Sequence, residues 1–274
     1  MHILLTNDDG VRAAGLATLA DAAARYVGRD GSVTVVAPDR EHSGCGHRVT
    51  VADTLTLARE EDGPSRPGSG RVRRFSLDGT PADCVRIGLH HFAELRMDGP
   101  FDWVLSGVNH GGNLGVDVFL SGTAAAAREG TLAGVPSAAI SRFRRGADAP
   151  WSASVELLDR VLAEILAEPP GPGAFWNVNL PHPPDVAGGE PAPVVRCRPE
   201  AGPLPVAFEA VEIDDAVAAD VPDAVPTGTV VARYRYRGRY PDRSSQPGSD
   251  VAVCFGGAAA VCRLPLFPAA DPAR

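Results

Sequence analysis

The chain has 274 residues, 44% hydrophobic and 22% charged, enough to bury a sizeable core with the composition of an ordinary globular protein. All 26 basic residues are arginine, which excludes lysine Schiff-base chemistry and a P-loop lysine; the net charge of −8 argues against a general nucleic-acid binder. Five widely spaced cysteines without a CxxC pair read as reduced thiols. A first strand beginning at residue 2 or 3 leaves no room for a signal peptide, and no run of about 18 apolar residues occurs, so a cytoplasmic protein without a membrane partner is expected.

His2-Ile3-Leu4-Leu5 reads as a buried strand running straight into Thr6-Asn7-Asp8-Asp9-Gly10. Two adjacent carboxylates at the end of an apolar strand raise each other's pKa, and holding both ionised is costly without a compensating cation. A hard ion, Mg²⁺ or Mn²⁺, suits such oxygens. The alternative is that Asp8 caps the next helix while Asp9 lies in solvent. Gly15 to Tyr26 has the period of an amphipathic helix, and Ser32 to Ala37 is a β-branched strand ending at Pro38-Asp39, which completes a βαβ unit. Residues 59 to 71 are interrupted by Pro and Gly and form a loop or the tip of a β-excursion.

Thr80-Pro81-Ala82-Asp83 starts a helix running to about Phe92, with the hydroxyl as cap and Pro in the first turn. Phe101 to Leu105 is a strand, Ser121 to Leu132 a helix and Pro136 to Ser141 a strand. Trp151 to Glu168 is a helix with Val155, Leu158, Leu162, Ile165 and Leu166 on one face, and Phe175 to Leu180 returns to the sheet. The order implies an α/β fold with a mostly parallel sheet flanked by helices on both sides. Ligands of such sheets bind beyond the carboxyl ends of the strands, the edge that carries Asp8 and Asp9.

Three further segments belong on that edge. Asp39-Arg40-Glu41-His42-Ser43-Gly44-Cys45-Gly46 offers the small oxygen ligand Ser43. Ser106 to Gly115 is a glycine-rich loop carrying Asn109 and Asn113. Ser121-Gly122-Thr123 opens a helix whose free N–H groups, hydroxyls and positive end suit a phosphate, although a plain Ser or Thr cap is the commoner meaning of that tripeptide.

Leu-Leu-Thr-Asn-Asp-Asp-Gly, Val-Ala-Pro-Asp-Arg, Asp-Gly-Thr-Pro-Ala-Asp-Cys-Val (78 to 85), Ser-Gly-Val-Asn-His-Gly-Gly-Asn-Leu-Gly, Ser-Gly-Thr with Glu129-Gly130 after it, and Asn177-Val178-Asn179-Leu180-Pro181 together resemble the SurE family of metal-dependent 5′-nucleotidases, over residues 1 to about 181. The resemblance implies a Rossmann-like catalytic core over 1–185 and a β-rich extension over 186–274 used in homodimer or homotetramer assembly. It implies one divalent metal ion held by Asp8, Asp9, Ser43 and Asn109, and a substrate phosphate facing Asn113, Ser121, Gly122 and Thr123. The expected reaction is hydrolysis of nucleoside 5′-monophosphates, with Asp8, Asp9, Asn113 and Ser121 catalytic. Metal-activated water is the favoured nucleophile, and direct attack by Asp8 or Asp9 is the other route.

His42, His47 and His110 lie in the site segments and are candidate acids for the leaving oxygen; His2, His90, His91 and His182 are peripheral or structural. The departures from the family gather late. No histidine follows His182, Gly256 to Ala260 stands where a Gly-Tyr-Val-Ser-like strand is expected, and Gly112 and Val116 replace a proline and an acid. A nucleotide- or Mg²⁺-binding regulatory module with little turnover is therefore the alternative. Arg233 to Tyr240 alternates base and aromatic and could stack on nucleic acid. An acidic partner strand drawn from Glu209, Glu212, Asp214, Asp215, Asp220 and Asp223 would make it a structural ribbon, the preferred reading. A dinucleotide dehydrogenase is disfavoured, because no G-x-G-x-x-G follows the first strand.

Overall fold

β1 (His2–Thr6), α1 (Ala14–Val27) and β2 (Ser32–Pro38) make the first parallel crossover, and an antiparallel excursion of β3 (Leu57–Arg59) and β4 (Arg71–Leu77) follows. Then come α2 (Pro81–Glu94), β5 (Trp103–His110), α3 (Gly122–Leu132), β6 (Ser137–Arg142), α4 (Val155–Ala167) and β7 (Ala174–Leu180). The chain ends with β8 (Val194–Cys197), β9 (Phe208–Val211), β10 (Arg233–Tyr236), α5 (Asp250–Phe255) and β11 (Ala259–Pro265). This computed structural model describes residues 1–62, 67–94, 99–146, 149–183, 191–211 and 232–267, the side chains of 92–94 excepted.

Nine strands form one sheet in the order β3-β4-β2-β1-β5-β6-β7-β11-β8, parallel throughout except for the β3/β4 and β7/β11 pairs. The expected α/β architecture is the observed one. The chain leaves β1 toward β2 on one side and returns to β5 on the other, so the strand order reverses between β1 and β5. A crevice at the carboxyl ends of those two strands is where such sheets bind ligands. Alternation along β1 sends Ile3 and Leu5 against α1 and α4, with Leu16, Leu19, Leu158 and Leu162. Leu4 faces the opposite layer, with Val85 and Ala126. Both faces are therefore dry, which is why β2 and β6 are buried along their whole lengths.

Local chemistry starts the helices where the sequence places them. Thr80 Oγ1 accepts the Asp83 N–H at 3.2 Å while Asp83 Oδ2 accepts the Thr80 N–H at 3.0 Å, a reciprocal cap on α2. Ser121 Oγ accepts the Ala124 N–H at 3.0 Å and caps α3. The expected single helix from Trp151 to Glu168 is instead a 3₁₀ turn, Trp151–Ser154, leading into α4. A larger difference concerns Ser106 to His110, expected as loop: β5 runs on to His110, with a register shift against β6 between Gly107 and Asn109. Pairing with β6 overrides the turn-forming glycine, and Asn109 sits on the end of a strand.

Two late strands, β8 and β11, belong to the main sheet. The apolar run Ala259 to Cys262 is buried, and β11 pairs antiparallel with β7 and parallel with β8, extending the main sheet. The chain divides into one compact unit of Met1–Ala201 with Ser245–Arg274 and a second of Gly202–Ser244, so the boundary expected at 185/186 does not coincide with either. In the second unit β9 and β10 pair antiparallel with Arg235 opposite Glu209, and Arg237 Nε donates to Glu209 Oε2 at 2.6 Å. That matches the structural-ribbon reading at Glu209; Glu212, Asp214, Asp215, Asp220 and Asp223 lie outside the described residues.

Asp250, at the start of α5, ties the late elements to the glycine-rich segment. Its buried carboxylate accepts N–H groups from Gly115 at 2.7 Å, Glu200 at 2.8 Å and Val251 at 2.9 Å. Gly115 has φ +54°, and a Cβ there would lie 2.6 Å from the Glu200 carbonyl oxygen, so only glycine permits this approach. Asp250→Ala leaves buried N–H groups unpaired and is expected to cost about 2–4 kcal/mol in urea denaturation, after allowing for relief of the buried charge. A loss within experimental error contradicts this anchoring role.

Candidate active site

The crevice at the β1/β5 reversal is a cleft of about 450 Å³. Asp8 and Asp9 follow β1, Ser43 and Gly44 follow β2, Asn109 and His110 end β5, Asn113 and Asp117 continue that segment, Ser121 caps α3, and Arg144 follows β6. Of the sequence-predicted residues, Asp8, Asp9, Ser43, Asn109, Asn113 and Ser121 therefore meet on one surface. Gly122 and Thr123 are not among the lining residues; both pack behind Asp8.

Asp8 is not a helix cap. α1 begins six residues later with Ala13 at its cap position, whereas the Asp8 side chain is only 6% exposed. Thr123 Oγ1 donates to Asp8 Oδ1 at 2.5 Å, and a Cβ on Gly122 would lie 2.9 Å from Asp8 Cβ and 3.0 Å from Cys45 Sγ. Burial pushes the Asp8 carboxyl up to about 6, the neighbouring Asp9 charge adds to the rise, and the Thr123 hydroxyl opposes it. Asp9 is half-buried rather than in solvent. Burial raises its carboxyl as well, against the backbone N–H of His110, which donates to Asp9 Oδ2 at 3.1 Å.

The neutral ligand candidates are held by their non-ligating ends. Ser43 Oγ donates to Glu41 Oε1 at 2.6 Å, leaving its lone pairs as acceptors, and Asn109 Nδ2 donates to the Gly111 carbonyl at 2.8 Å, leaving its amide oxygen as the end available to a cation. No cluster of three or more His, Cys, Asp or Glu side chains arranged for a metal occurs among the described residues. The donor set in the cleft is of another kind, two carboxylates with a hydroxyl and an amide. Its oxygens fit a hard divalent ion rather than a soft one.

Asn113 is fixed on every side. Its N–H donates to Asn179 Oδ1 at 2.7 Å, its Nδ2 to Ser141 Oγ at 2.8 Å, and its carbonyl accepts from Asn177 and Asn179 at 2.9 and 3.0 Å. The Asn-Val-Asn pair of β7 thus holds the cleft segment from behind. Among the three candidate histidines only His110 lines the cleft; His47 Nε2 lies 2.7 Å from Glu129 Oε2, and the His42 N–H donates to the Asp8 carbonyl. Glu41, Asp117 and Arg144 line the cleft without having been singled out as site residues. The sequence signal for Arg144 is its place in Phe143-Arg144-Arg145, directly after a parallel strand at the same sheet edge.

A family model described as survival protein SurE matches residues 3–198 of the chain. The chain belongs to the SurE family. A Synechocystis sp. protein provisionally named a 5′-nucleotidase is 38% identical over 266 residues, covering 96% of this chain and 99% of its own. A protein of Geotalea uraniireducens named 5′-nucleotidase SurE is 42% identical over 181 residues, 66% of each chain. The crystal structure of the SurE protein from Aquifex aeolicus superposes with a TM-score of 0.72 at 28% identity, over 98% of this chain and 95% of that one.

Above about pH 6 Asp8 is ionised, and burial makes that charge costlier in the folded chain than in the unfolded one, so removing it relieves the fold. With chelator present at pH 7.5, Asp8→Asn is expected to stabilise the protein by about 1–3 kcal/mol in thermal or urea unfolding, the Asn oxygen still accepting from Thr123. A destabilised variant contradicts the burial cost assigned to Asp8.

Proposed function

We propose that the chain is a metal-dependent 5′-nucleotidase, a phosphomonoesterase that hydrolyses nucleoside 5′-monophosphates to nucleoside and phosphate. One observation carries the reading: the adjacent carboxylates of Asp8 and Asp9, the Ser43 hydroxyl, the amides of Asn109 and Asn113 and the Ser121 cap of α3, from separate segments, line a single cleft at the strand-order reversal. One Mg²⁺ or Mn²⁺ ion, held by Asp8, Asp9, Ser43 and Asn109, would neutralise charge on the phosphoryl group and lower the pKa of an attacking water.

The residues of the chain supply the rest. Thr123 and the close approach of Gly122 fix Asp8 in one orientation, so Thr123 acts as a positioning residue. Ser121 and the amide of Asn113 orient the phosphoryl oxygens at the positive end of α3, and Arg144, which also lines the cleft, adds positive charge. Water is the nucleophile rather than Asp8, because Asp8 is almost wholly buried with one oxygen committed to Thr123. His110, the one candidate histidine among the cleft's lining residues, would serve as the acid for the leaving nucleoside oxygen. Among the described residues no helix is long and apolar enough to cross a membrane. The cytoplasmic location, the homodimer or homotetramer and the assembly role of the segment after residue 185 rest on the family resemblance.

Purified protein incubated with 5′-AMP and Mn²⁺ is expected to release phosphate steadily. Release should stop with EDTA and fall by about 10²–10³-fold or more in Asp9→Asn. Tight AMP binding without phosphate release contradicts the enzyme and favours a nucleotide-binding module.

A further inference from the structure

Two of the five cysteines face each other at the far end of the sheet. Cys197 on β8 and Cys262 on β11 are register partners on parallel neighbouring strands, and their Sγ atoms lie 3.2 Å apart. Side chains of register partners project to the same face. The spacing of about 4.8 Å between neighbouring strands falls within the Cα separation of roughly 4.4–6.8 Å that a disulfide spans. Closing the contact to a bond therefore needs the two sulfurs to approach by little more than 1 Å, from 3.2 Å to about 2.05 Å, between side chains already on one face.

We propose that Cys197 and Cys262 form a reversible disulfide, a modification site at the β8/β11 edge made by thiol–disulfide exchange with a low-molecular-weight disulfide. The two thiols divide the work. Cys197 is half-buried and therefore reachable, and its hydrogen bond with Cys262 favours its thiolate; Cys262 is buried, and the same contact holds its proton on. The Cys197 thiolate attacks one sulfur of the oxidant R–S–S–R, forms a mixed disulfide and expels RS⁻. Cys262 then gives up its proton and attacks the Cys197 sulfur, expelling the second RS⁻. Two protein thiols become one disulfide, two RSH leave, and two electrons pass to the oxidant. Cys45, Cys84 and Cys254 have no such partner among the described thiols, and burial raises the pKa of each.

The bond would close a loop holding the whole Gly202–Ser244 unit and Asp250, whose carboxylate anchors Gly115. It would staple the edge strand β8, which leads directly to Glu200 at the same anchor. The effect is on stability, independent of the nucleotidase reading.

The test treats the full-length protein with oxidised glutathione, blocks remaining thiols with iodoacetamide under denaturing conditions, and identifies the digested peptides by mass. The expected product is a cross-linked pair of Cys197 and Cys262 peptides, about 2 Da lighter than the two reduced peptides together, with the other three cysteines alkylated. Reductant should reverse it, Cys197→Ser should abolish it, and Cys45→Ser should leave it intact. Oxidation should raise the melting temperature of the wild type by several degrees and leave that of Cys197→Ser unchanged. Separate alkylation of Cys197 and Cys262 after oxidant, or a glutathione adduct on Cys197 that Cys262 never displaces, overturns the proposal. The wild-type digest decides even if the serine variant fails to fold.

Discussion

The buried carboxylate of Asp8 sets the terms for everything around it. A side chain 6% exposed at the end of a strand that is dry on both faces loses most of its hydration, and a second carboxylate follows immediately in the chain. Such a group is kept at a cost of the order of a few kcal/mol unless compensated. What surrounds it is a Thr123 hydroxyl, a glycine whose missing side chain lets α3 approach, and oxygen donors from two other segments facing the same cleft. Oxygen donors of this kind suit a hard divalent cation, the ion that the proposed function places here.

The sheet order supplies the geometry. Because β2 lies on one side of β1 and β5 on the other, the segments after all three strands reach the same end of the molecule although they are far apart in sequence. Two later elements support this cleft: β7 supplies Asn177 and Asn179 to fix Asn113, and α5 supplies Asp250 to fix Gly115. Polar motifs scattered along the sequence are thus one connected object, with the cleft-lining groups in front and a hydrogen-bonded support behind.

Much of this was legible in the sequence because the signals were local. β-branched and apolar runs gave the parallel strands, and the reciprocal Thr80/Asp83 cap and the Ser121 cap marked helix starts that depend only on neighbours. Six of the residues singled out by the motifs, Asp8, Asp9, Ser43, Asn109, Asn113 and Ser121, line one cleft. What escaped it depends on contacts distant in sequence. The extension of β5 through Asn109 comes from pairing with β6, which no local propensity of Ser-Gly-Val-Asn-His reveals. The role of Thr123 behind Asp8 follows from the packing of α3 on β1, and the membership of β11 in the main sheet follows from its burial against β7. Ala259 and Ala260 carry little strand propensity, but they fit a position where both faces are covered.

The central claim is that Asp8, Asp9, Ser43 and Asn109 form a single cation site. Isothermal titration of the chelator-stripped protein with Mn²⁺ tests it without reference to substrate or turnover. The account predicts one Mn²⁺ per chain, with binding lost in Asp9→Asn and weakened in Asn109→Ala. No Mn²⁺ uptake by the folded protein, or uptake that is unchanged in both variants, would contradict it.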